Sequence, residues 1–100
     1  MDVVRNDIRQ AVEKELDHAV MEHGLCHTWH EKYSLILEEV EEAMEEGDAI
    51  EEQMRLLWAA IRRDDYENAA RFAARIKQSA ENLAIEAVQI AAMARKEVKA

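Results

Sequence analysis

The chain has 100 residues, 49% of them hydrophobic and 35% charged, with no proline, two glycines and a formal net charge of -9. A chain of this length supports one domain, residues 1–100, with no second core, and so few breakers predict an all-α fold. The acidic balance argues against binding a nucleic-acid backbone or an anionic membrane surface. It leaves a nucleotide substrate open, because a bound cation reverses the local sign.

The lone cysteine, Cys26, allows no intrachain disulfide and suits a reducing compartment. The first twenty residues carry charges throughout, unlike the apolar core of a signal peptide. No apolar run reaches membrane-spanning length. A cytoplasmic location without membrane attachment is expected.

The predicted architecture is an antiparallel helical bundle of about four helices. The first runs from Asp2 to about His23, with Val4, Ile8, Ala11, Val12, Leu16, Ala19 and Val20 at helical spacing and Gly24 as its stop. Glu15 and His18 form one Glu-x-x-His step, the half-motif of di-iron bundles. No second copy follows. His18, His23, His27 and His30 gather around the first connection, without zinc-finger spacing. A binder of transition metals through Glu15 and His18 is one reading of them; capping, packing or solvent exposure is the plainer one.

Thr28 and Glu31 read as a capping box opening the second helix. That helix carries Trp29, Tyr33, Leu37, Val40 and Met44 as far as Glu46, and Gly47-Asp48 predicts a break. A third, shorter helix then places Ile50, Met54, Leu57, Trp58 and Ile61 on a stripe, with Trp58 expected in the core. Arg62-Arg63-Asp64-Asp65 marks the next turn, with basic residues closing one helix and acidic ones opening another, as helix dipoles favour. A long last helix is expected from about Asp65 to Lys96. Its Leu83–Ala94 portion is apolar nearly all round, which predicts burial on all sides, partly against a second subunit.

The acidic segment from Glu38 to Glu42 lies among the apolar residues of the second helix. Helical spacing sets Glu39 beside Glu42 and Glu38 beside Glu42, so like charges crowd one face. A divalent cation would relieve that repulsion, since Mg²⁺ takes carboxylate oxygens and keeps several waters. A solvated acidic face is the simpler alternative. Glu86, inside the apolar C-terminal stretch, needs an ion pair, a proton or a metal if buried. Arg75, Lys32 and Arg95 are candidate ion-pair partners. Gln89, one turn on, offers a neutral carbonyl oxygen. Neither a phosphate-binding glycine loop nor a nucleophile elbow is visible, so any catalysis here is carboxylate-and-metal chemistry.

Taken together, these segments resemble a known family. Glu38-Glu39-Val40-Glu41-Glu42 resembles the EExxE signature of the all-alpha nucleoside triphosphate pyrophosphohydrolases, the MazG-type family. Glu86-Ala87-Val88-Gln89 falls where that family has its second motif, ExxD. His30, Glu31 and Tyr33 are similar to the lead-in of its small single-domain bacterial and phage members, and Glu86 to Ala94 to their tail. The resemblance spans about Glu22 to Lys96. It implies Mg²⁺-dependent hydrolysis of a nucleoside triphosphate to monophosphate and pyrophosphate, of a house-cleaning kind, by a homodimer or higher homo-oligomer. Carried over by position, it implies metal ligands at Glu39, Glu42 and Glu86, with Gln89 beside them. Glu38 would orient or deprotonate the attacking water. Lys32 or Arg75 would hold the phosphates, although no motif selects either. Two departures stand out: Gln89 replaces the motif's Asp, removing a negative charge, and the segment between Glu42 and Glu86 is longer than in compact members. The alternative is a catalytically degenerate helical protein that acts as a protein-interaction module.

Overall fold

The computed structural model describes residues 2–100. They form three α-helices: α1 (Asp2–His23), α2 (Trp29–Arg62) and α3 (Tyr66–Arg95). The all-α expectation holds; the number of helices is corrected from four to three, because α2 runs unbroken through Gly47. A mid-helix glycine costs only about 1 kcal/mol relative to alanine. Gly47 also lacks the positive φ with which a helix stops, whereas Gly24 has φ 71°.

Each helix end has a local cause. At Gly24 the left-handed backbone turns the chain out of α1, and its N–H donates to the Val20 carbonyl at 2.8 Å. Thr28 caps α2, its Oγ1 accepting from the Glu31 N–H at 3.1 Å, while Glu31 Oε2 accepts from the His27 N–H at 3.1 Å. That is the predicted box with its return bond displaced by one residue. Asp65 caps α3, accepting from the Asn68 backbone N–H at 3.3 Å and from its side-chain amide at 2.7 Å. Asp64 adopts φ 57° in the preceding turn, a conformation that aspartate tolerates better than most residues.

The chain divides into two compact units. One combines residues up to Glu41 with Glu86–Ala100. Its interior contains Val12 and Ala19 of α1, Ala92 of α3 and the fully enclosed Cys26. The C-terminal tail is tied over Cys26, whose N–H donates to the Glu97 carbonyl at 3.0 Å, while Lys99 N–H donates to the Cys26 carbonyl at 2.8 Å. Arg95 pairs with Glu13 of α1. Val4 and Ile8, at the start of the helical stripe of α1, are exposed.

The other unit, Glu42–Ile85, is a helical hairpin closed by the turn after Arg62. Asn82 donates to Glu46 Oε1 at 3.3 Å across it, so its two helical segments run antiparallel. Ala60 and Ala69 are its buried residues; small side chains let the two backbones approach. Trp58, expected in the core, is exposed. A two-helix hairpin has one internal seam, and Trp58 lies off it. Within the single chain, Ala92 of the Leu83–Ala94 portion is buried and Ile85 is exposed. No helix among the described residues is long and apolar enough to cross a membrane.

Candidate metal centre

The acidic segment lies on α2 and Glu86 with Gln89 on α3. Glu39 and Glu42, one turn apart on the same unbroken helix, bring carboxylate oxygens within 4.8 Å of each other. Across from Glu39 in the same compact unit, Glu86 does likewise. Glu39 and Glu86 are both half-buried, so their mutual repulsion is screened less than that of charges in open water.

Gln89 lies between them. Its amide faces two carboxylate oxygens, and only the nitrogen can satisfy both. So oriented, it donates to Glu39 Oε2 at 2.9 Å and to Glu86 Oε2 at 3.1 Å. The neutral amide thus supplies two donors where a cation would otherwise offset the negative charge. The importance of position 89 was legible from its spacing to Glu86; that it faces both carboxylates through nitrogen was not.

The remaining candidates take other positions. Glu38 is exposed and adjacent in sequence to Glu39, about 100° around the helix. Lys32 stands over the Trp29 ring at 5.0 Å, about 10 Å of helix rise before Glu39. Arg75 stands over Phe72 at 5.9 Å and belongs to the hairpin unit. The donor set of carboxylate oxygens suits a hard cation such as Mg²⁺ better than a soft one. His18, His23, His27 and His30 are all exposed. Among the described residues, Glu39, Glu42 and Glu86 form the acidic group close enough to share an ion, and Glu15 with His18 is not in such a group.

Comparison of the chain with protein-family models, with curated proteins and with solved structures finds no match.

Proposed function

We propose that the chain is a Mg²⁺-dependent nucleoside triphosphate pyrophosphohydrolase of MazG-like type, cleaving NTP or dNTP to monophosphate and pyrophosphate. The observation that carries this reading is the convergence of carboxylates on Glu39, from a helix neighbour and from a separate helix. Glu39, Glu42 and Glu86 are the ligands. When bound, Mg²⁺ polarises phosphoryl oxygens and lowers the pKa of a coordinated water. Glu38, exposed beside Glu39, would orient the attacking water or take its proton. Gln89 can turn its amide to offer the carbonyl oxygen in place of the nitrogen. Lys32 and Arg75, each standing over an aromatic ring, are the cations that would hold the triphosphate. The reading includes a cytoplasmic location, no nucleic-acid or membrane partner, and self-association as a homodimer or larger assembly.

The position of the Gln89 nitrogen favours a second reading. An amide that already satisfies both carboxylates removes part of the need for a metal, as in a catalytically degenerate helical protein serving as an interaction module. Pyrophosphate release from a panel of ribo- and deoxynucleoside triphosphates, with and without Mg²⁺, separates the two. Metal-dependent release, lost in both Glu39→Gln and Glu86→Gln, is expected from the enzyme. Loss of a ligand carboxylate should lower kcat at least about a hundredfold, as for other groups that stabilise developing charge. Turnover unchanged in both variants would remove the site. Silence of the wild type and of Gln89→Asp, with helicity intact, would leave the interaction module.

A further inference from the structure

α2 carries an apolar stripe that neither compact unit covers. Tyr33, Leu37, Met44, Met54, Trp58 and Ile61 lie along one face of this helix, exposed by 39–66%. With Val40, Gly47 and Glu51 filling the gaps, the positions advance by alternating steps of four and three from Tyr33 to Ile61. That is the 3.5-residue period of a coiled-coil seam, and it needs a second helix to cover it.

We propose that a second copy of this chain covers the stripe, α2 packing antiparallel on α2 about a two-fold axis near Ala49. The proposal deepens the self-association included above and rests on that part alone, not on the nucleotide chemistry.

Charge selects the direction. The row flanking the seam reads Ser34, Glu41, Asp48, Arg55, Arg62, acidic in the middle and basic toward the C-terminal end. Antiparallel alignment sets Glu41 of each copy against Arg55 of the other, two opposite-charge pairs that outnumber the single meeting of Asp48 with Asp48 at the axis. Parallel alignment would leave Glu41 opposite Ile36, without a charged partner. The Glu52–Arg55 contact within the helix is exposed on both sides, so it competes only weakly for Arg55. The same register pairs Met44 with Met54, Val40 with Trp58 and Leu37 with Ile61.

It also accounts for two residues that otherwise suit a helix seam poorly. Gly47 has open space where a Cβ would stand, with nothing within 4 Å, so packing within the chain does not require a glycine there. Glu51 is a charged residue in an apolar row. In the antiparallel register Gly47 of one copy faces Glu51 of the other, and the missing side chain lets the carboxylate pass out to water.

The test is sedimentation equilibrium of the full chain from micromolar to millimolar concentration, with helicity followed by circular dichroism. A dimer is expected. Trp58→Glu should weaken it about a hundredfold or more, since aromatic anchors dominate such interfaces and the site occurs twice. Met44→Glu, on the same stripe, is the second variant should Trp58→Glu lower helicity. Glu41→Arg and Arg55→Glu should each weaken the dimer about tenfold, and the double exchange should restore it. A wild type that stays monomeric overturns self-association, leaving the stripe to a different protein. A dimer indifferent to both Trp58→Glu and Met44→Glu overturns this face. A double exchange that fails to restore association overturns the antiparallel alignment. Each of these results is read independently of pyrophosphate release.

Discussion

Gln89 makes the sharpest prediction at the scale of a single residue. Its amide nitrogen bonds both Glu39 and Glu86, and hydrogen bonds to charged acceptors are stronger than neutral ones. Gln89→Leu keeps the bulk and removes both donors, so thermal unfolding should show a loss of about 2 kcal/mol. Millimolar Mg²⁺ should recover part of that loss if the carboxylates bind it, and none otherwise. Asp65 offers a pH-dependent counterpart. Hydrogen bonds from the Asn68 side chain and then its backbone N–H hold the Asp65 carboxyl below its ordinary range. A carboxyl lowered in the folded state stabilises the fold above its unfolded pKa, and the contribution is lost as pH falls through the folded value. Asp65→Asn keeps an acceptor at the cap but does not titrate. Its melting temperature should therefore fall less steeply than the wild type's on the acid side.

The two glycines separate at the scale of the helix. Gly24 ends α1 in a left-handed conformation, where a side chain costs roughly 1–2 kcal/mol. Gly47 has ordinary helical backbone and open space around a would-be Cβ. Gly24→Ala should therefore lower the melting temperature. Gly47→Ala should raise it by the equivalent of about 1 kcal/mol when measured on dilute monomer, while disturbing the proposed dimer. The ends of α1, the capping box at Thr28 and the Arg63–Asp65 turn were legible in the sequence, because the groups that satisfy those backbone ends are only a few residues away. The continuity of α2 was not. A glycine stops a helix only where the backbone leaves the helical region, and that depends on what the following residues pack against.

Cys26 and the C-terminal tail show what distant parts of the chain do for one another. Cys26 is completely enclosed and holds backbone hydrogen bonds to Glu97 and Lys99. In the full chain its thiol should react slowly with an aromatic disulfide reagent. Removing Lys96–Ala100 should speed that labelling severalfold or more while leaving helicity nearly unchanged, because α3 already ends at Arg95. Nothing local announced this contact, since it joins residues separated by most of the chain. Trp58 makes the converse point: helical periodicity says that a residue is on an apolar face, but not whether that face is covered. On α2 there are two such faces, one carrying the buried Ala60 and one open with Trp58.

The sequence by itself determined that this protein is helical, where most of its helices start and stop, and which acidic residues share a turn. Each of these depends on neighbours within a few residues: propensity, capping and the 3.6-residue repeat. Only the tertiary structure decided that Glu86 comes to Glu39, that Gln89 bridges them through nitrogen, and that the long stripe on α2 is left exposed. Those outcomes depend on which helix faces meet, and a pattern along one chain segment carries no information about the segment packed against it.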